Sequence, residues 1–201
     1  MVVGEKSDFA IEYEFAPNFS EKTYGYISLW IQGENLCRYN GDRQYEGDLY
    51  YIIDWFCGKI EYILGYDLFP LPVAGDNTLE LIEKADKFES DIMLEFDLWY
   101  AAKSRWILNH CWFVARGCAV LPCVYFRRVE DFIEIAWDNE FWEQSNIIFE
   151  SPKGIYLVNF EIFTRVISIF LFTAIIELKG KINNDEKIEE MMRQINILNR
   201  M

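Results

Sequence analysis

A chain of 201 residues, 52% apolar and 17% aromatic, carries enough hydrophobic mass for one thickly packed domain, with or without an appended helix, and excludes a disordered polymer. Its net charge of -14 excludes a protein built to coat nucleic acid, which would be basic, and fits a soluble chain, a partner of a basic protein, or a mimic of nucleic acid. The five cysteines (Cys37, Cys57, Cys111, Cys118 and Cys123) are odd in number and form no C-x-x-C. With the polar start MVVGEKSDFA, they point to reduced thiols in a cytoplasm.

FAIEYEF, from Phe9, alternates as a half-buried strand does, and Pro17, Asn18 and Ser20 break it. YGYISLWIQ, from Tyr24, alternates again. A turn at Gly33-Glu34-Asn35 leads to a third strand at Leu36 to Tyr39, which predicts a first antiparallel hairpin. From Glu46 the period becomes helical, with Leu49, Ile52, Ile53, Phe56, Ile60 and Ile63 on one side, Asp48 at the start and Gly65 at the end. Phe69-Pro70-Leu71-Pro72 is a rigid connector. Asp76-Asn77-Thr78 can cap a short helix, TLELIEKADKF.

Asp86, Glu89, Asp91, Glu95 and Asp97 follow as a solvated acidic face, with spacing that matches no calcium loop. A helix is expected around Trp106 to Arg116, stopped by Gly117. VYFRRV and FIEIAWD, joined at Glu130-Asp131, predict a second hairpin with a cross-strand ion pair from Arg127 or Arg128 to Glu134. Asn139 to Ser151 reads as a loop with a short strand at NIIFE, Pro152-Lys153-Gly154 as a turn, and IYLV as a last strand. An apolar helix then spans about Phe160 to Leu178. Its strongly apolar run, VISIFLFTAII, falls short of the roughly 20 residues that cross a bilayer. Asn183-Asn184-Asp185 begin a final polar helix with a narrow stripe of Ile188, Met191, Met192, Ile195 and Leu198.

The segments YGYISLWIQGENLCR and EGDLYYIIDWF followed by LFPLP are joined by the order of Trp106, His110, Ala115, Gly117, Pro122, Val124, Arg127, Arg128, Asp131, Glu134, Ile135 and Trp137. Together they resemble a bacterial domain associated with the N-terminal side of ImmA/IrrE-like metallopeptidases and other conflict-system proteins. The resemblance spans roughly residues 20 to 178 with a gap in the charged middle, and implies an accessory domain. The peptidase signature H-E-x-x-H is absent, and a single histidine cannot supply two zinc ligands on one helical face, so that chemistry does not carry over.

His110 reads as a structural or ligand-contacting imidazole bonded to a backbone carbonyl or to Glu134. Cys111, its neighbour on a helix, points elsewhere, whereas Cys118 or Cys123 can approach through the fold. The spacing of Cys111, Cys118 and Cys123 with His110 matches no zinc ribbon or knuckle. Arg127 and Arg128 lie on opposite faces of one strand, so one is free to meet a phosphate or carboxylate. A ligand pocket, where one exists, is expected from Arg105, Trp106, His110, Arg127, Glu134 and Trp137. No catalytic set, metal site, cofactor site or nucleotide loop is expected.

The expected fold is therefore α+β. Residues 1–180 form an antiparallel sheet from two hairpins and a later strand, packed against three or more helices, and 181–201 form a polar helix. The expected function is a non-catalytic protein-interaction or regulatory module of a bacterial defence or toxin-antagonism system. The alternatives are an immunity protein neutralising a basic toxin, and a small-ligand (anion) sensor or enzyme using His110 and Arg127. A concave site where His110, Arg127 and Glu134 converge favours the last, and an exposed acidic or aromatic patch favours the others.

Overall fold

A computed structural model describes the backbone of residues 1–16 and 22–200, and the side chains of all of these except 199 and 200. Pro17, Asn18 and Ser20, expected to break the first strand, lie outside the described residues. The architecture is α+β, with antiparallel strands packed against several helices, but the strands divide between two main sheets and a two-stranded ribbon. The first sheet holds β1 (Val2–Gly4), β2 (Phe9–Phe15), β3 (Tyr24–Ile31), β4 (Glu34–Asn35) and β7 (Glu46–Asp48), with β5 (Arg38–Tyr39) and β6 (Arg43–Gln44) forming a separate ribbon. Alternation in β2 sends Phe9, Ile11, Tyr13 and Phe15 into the core, and Glu14 to solvent.

The long partner of β3 is β2, with Phe9 opposite Ile31 and Phe15 opposite Gly25. The predicted pairing of β3 with Leu36–Tyr39 survives only as Trp30 opposite Asn35 and Ile31 opposite Glu34. Gln32 and Gly33 turn the chain there with φ of 50° and 88°, a pair of positive values that suits a two-residue hairpin. Beyond it the Leu36 amide still donates to the Leu29 carbonyl at 2.9 Å, and the chain then leaves the ladder with Leu36 and Cys37 fully buried.

α1 (Leu49–Leu64) begins where the Asp48 carboxylate accepts the Tyr50 amide at 3.0 Å, and buries the stripe its periodicity predicts. α2 (Thr78–Asp86) is capped by Asn77, which accepts the Glu80 amide at 3.0 Å. α3 (Met93–His110) differs from the expected Trp106–Arg116 helix at both ends. It starts inside the acidic segment and stops at His110. Cys111 turns extended to bridge Tyr125, and a 3₁₀ turn, Trp112–Ala115, drops Trp112 into the core. The Trp112 indole donates to the Pro122 carbonyl at 2.8 Å, so burial of this ring wins over continuing the helix.

The second sheet is β8 (Val124–Val129), β9 (Phe132–Asp138) and β10 (Lys153–Asn159), with β9 in the middle. The predicted hairpin at Glu130-Asp131 is present, with Arg127 opposite Glu134. Lys153 and Gly154, expected in a turn, already belong to β10. Gly154 lies under the Trp137 indole, where a Cβ would sit 2.2 Å from the ring. The 139–151 segment contains a 3₁₀ turn, Glu140–Ser145, and within the expected NIIFE strand Phe149 makes a single bridge to Tyr39.

α4 (Phe160–Lys179) and α1 contact both sheets, so the main core lies around these two helices. α5 (Asp185–Ile195) adds Ile188, Met191 and Ile195 to that same core. Among the described residues no helix is long and apolar enough to cross a membrane. A smaller cluster, Trp106, Cys111, Cys123, Tyr125 and Ala136, lies on the far face of the second sheet, under α2 and the end of α3.

Candidate functional site

Strand alternation sorts the candidate residues on β9. Ile133, Ile135 and Trp137 face the main core, whereas Ala136 joins the small cluster on the far face, where Glu134 meets the start of α2. Trp137 is thereby separated from Glu134, and Arg105 is exposed on α3. Glu134 is buried and takes three donors. Arg127 Nη2 lies 3.2 Å from Oε2, the Thr78 amide donates to Oε1 at 2.9 Å, and the Thr78 hydroxyl donates to the same oxygen. A carboxylate at the first amide of α2 satisfies an orphan donor and meets the positive end of the helix. The ion pair therefore pins α2 to the sheet. Arg128, its neighbour, donates to the Leu64 carbonyl at 2.9 Å at the end of α1 and lies between the rings of Tyr66 and Phe160. Both arginines thus already have partners within the fold.

Trp106 and His110 do come together, stacked with ring centroids 4.1 Å apart. The Trp106 indole donates to the Asp67 carbonyl and its ring meets Phe69 edge-on, which holds the proline-rich connector against α3. His110 is completely buried, and its Nδ1 lies 2.9 Å from the Trp106 carbonyl. That carbonyl can only accept, so Nδ1 carries the proton. Nε2 has no hydrogen-bond partner among the described residues and lies 3.8 Å from the Asp67 carboxylate. Burial pulls the imidazole below its ordinary pKa, opposed by the Trp106 carbonyl and by Asp67. Of the two partners the sequence left open, the backbone carbonyl is the one observed.

Neither Cys118 nor Cys123 pairs with the imidazole, whose polar neighbours include the Trp106 carbonyl and Asp67. Cys111 and Cys123 instead lie together, with sulfurs 3.6 Å apart, both buried. Burial pushes Cys111 well above the ordinary thiol range, which leaves it protonated and a poor nucleophile. Among the described residues no group of three or more His, Cys, Asp or Glu side chains is arranged to hold a metal ion.

A groove of about 830 Å³ opens between α2, the far face of the second sheet and the two 3₁₀ turns. Its walls are Leu79, Ile82, Phe113, Tyr125, Phe141 and Ile155. Its rim carries the carboxylates of Glu80, Glu83, Asp86, Asp138 and Glu140 against one ammonium in the lining, Lys153. Asp138 at 2.7 Å and Glu140 at 3.4 Å hold that ammonium in its charged form. Lys84 and Lys87 reach Glu80 and Glu83 as exposed i,i+4 pairs, and Lys103 reaches Asp86. Exposed pairs of this kind are worth about 0–1 kcal/mol, so an incoming cation can compete for the Glu80 and Glu83 carboxylates. None of the six candidate residues lines this groove.

Sequence reasoning missed the groove because its walls come from five separate segments. One signal was legible, the amphipathic TLELIEKADKF helix with Leu79 and Ile82 beside Glu80 and Glu83. Comparison of the chain with protein-family models, with curated proteins and with solved structures finds no match.

Proposed function

We propose that this chain is a non-catalytic protein-interaction module of a bacterial defence or toxin-antagonism system, and that its partner is a basic protein. The observation that carries the reading is the groove beside α2, which combines aromatic and aliphatic walls with a rim of five carboxylates and one lysine. Such a surface suits a segment with an apolar anchor flanked by Lys or Arg. The anchor is desolvated by the walls, and the charges steer the encounter and fix its register. The net charge of -14 acts in the same sense at longer range. The resemblance of residues 20 to 178 to a conflict-system accessory domain adds to this reading, and the proposal places the chain in the cytoplasm. A narrower version, neutralisation of a basic toxin by an immunity protein, is favoured by the same rim, because covering a cationic surface needs opposite charge around an apolar centre. An anion sensor or enzyme at His110 and Arg127 has less support, since Arg127 is taken by Glu134 and His110 is enclosed.

The experiment is affinity purification of the tagged protein from its host, beside a variant carrying Glu83→Lys and Glu140→Lys. Both positions are exposed, so the fold is expected to tolerate them. The reading expects a stoichiometric basic protein that elutes with rising salt and is lost from the variant. An acidic or neutral partner held equally by both proteins would sink it. Toxicity of the captured protein when expressed alone, relieved by co-expression of this chain, would select the immunity version.

A further inference from the structure

α3 is 18 residues long, yet its buried residues are Lys103, Trp106, Asn109 and His110, all within its last eight. Within the first ten residues Trp99 holds the helix to the end of α2, stacked on Phe88 with its indole donating to the Ala85 carbonyl at 3.0 Å, while the other large side chains face water. Met93 is 79% exposed, Leu94 67% and Leu98 63%. A ten-residue helical segment has little stability of its own, and apolar surface gathered on one element in this way marks a contact site. Leu94, Leu98, Ala101, Arg105 and Leu108 recur at alternating spacings of four and three, the seam spacing of paired helices, and all five are exposed.

We propose that this outward face of α3 is a dimer interface, covered by a second copy of the chain running antiparallel across it about a two-fold axis near Ala101. The charges on the face select that occupant. Asp97 precedes Ala101 by four residues and Arg105 follows it by four, while Leu94 and Leu108 are each seven away. An antiparallel two-fold therefore sets Asp97 of each copy opposite Arg105 of the other and Leu94 opposite Leu108, with the small Ala101 where the helices cross. Among the described residues neither Asp97 nor Arg105 has an ion pair within its own chain, so the pairing replaces no internal contact. A basic foreign helix would satisfy Asp97 but meet Arg105, whereas a second copy satisfies both. The face lies on the side of α3 opposite Lys103 and Trp106, so a dimer leaves the groove beside α2 open on each protomer.

Sedimentation of the full chain between about 1 and 100 µM tests this. The wild type is expected to dimerise within that range, and Leu98→Asp to be monomeric with an unchanged circular dichroism spectrum. Arg105→Asp and Asp97→Arg each place like charges together twice per dimer, and each should weaken association about tenfold. Mixing those two single variants restores opposite charges at both contacts, so the mixture should form a heterodimer within about threefold of the wild-type affinity. A wild type that stays monomeric throughout overturns the proposal, including where a basic partner is then found on α3. So does a dimer indifferent to Leu98→Asp, or one whose charge variants do not rescue each other.

Discussion

α3 and α4 are the two longest helices but one buries along its length and the other does not. α4 sends Phe163, Val166, Ile167, Phe170, Leu171, Ala174, Ile175 and Leu178 into the core at the three- and four-residue spacings of a single face. α3 has apolar residues on several sides in its first half and buries residues only within its last eight, where Trp106, Asn109 and His110 meet the small cluster and the connector. The contrast teaches that apolar content does not decide what a helix is for. A helix whose apolar residues fall on one stripe finds the core of its own chain. One whose apolar residues are interleaved with Glu95 and Asp97 keeps them on the surface, available to something else.

The largest break in this contrast is expected within α4. Phe170 is 1% exposed and meets the rings of Tyr13 and Phe56. Phe170→Ala should cost about 3–5 kcal/mol in denaturant unfolding, and a loss below about 1 kcal/mol would contradict the packing described.

Next comes the anchor of α2. Glu134→Ala strands the partly buried Arg127 and the first amide of α2, and is expected to cost about 3 kcal/mol. Amide exchange should rise in α2 first. Replacing Arg127 and Glu134 together with leucines should cost less than Glu134→Ala alone, because no charge is left unpaired. Equal costs would show that the pair is not coupled.

A smaller effect is expected from pH. The folded state holds His110 below its ordinary pKa, so the unfolded chain binds the proton more readily. Stability should therefore fall as pH drops through about 6.5, the unfolded value, toward the folded one, and be fully present above it. The slope of stability between pH 7 and 5.5 should shrink in His110→Gln. An unchanged slope would assign that titration to other groups.

The smallest effect belongs to the free half of α3. Leu98→Ser should change the stability of the monomer by no more than about 0.5 kcal/mol, measured by unfolding at low protein concentration. A loss near that of Phe170→Ala would show that α3 is supported by its own chain.

Local chemistry made much of the fold legible. Asp48, Asn77 and Asn184 were readable as helix starts because capping is a contact between residues two or three apart. A cross-strand pair to Glu134 was legible from the hairpin, and the register of the folded ladder chose Arg127 over Arg128 as its partner. The end of α3 was not legible, because Cys111 leaves the helix to pair with Tyr125, 14 positions later. The division of the candidate pocket, by contrast, was already contained in the alternation of FIEIAWD, which sets Phe132, Glu134 and Ala136 against Ile133, Ile135 and Trp137. Trp137 and Glu134 are close in sequence, but an odd spacing on a strand sends them to opposite faces.

The sequence by itself determined the α+β class, the antiparallel pairing, most helix boundaries and the acidic charge. Each depends on periodicity or on neighbours within one element, where geometry is fixed by the backbone. Only the tertiary structure decided that β2 is the long partner of β3, that the strands form two main sheets, that His110 faces Asp67, and which apolar residues stay in water. Those outcomes depend on competition between distant segments for the same core. The side chains of α4 fill it, and the first half of α3 is left outside.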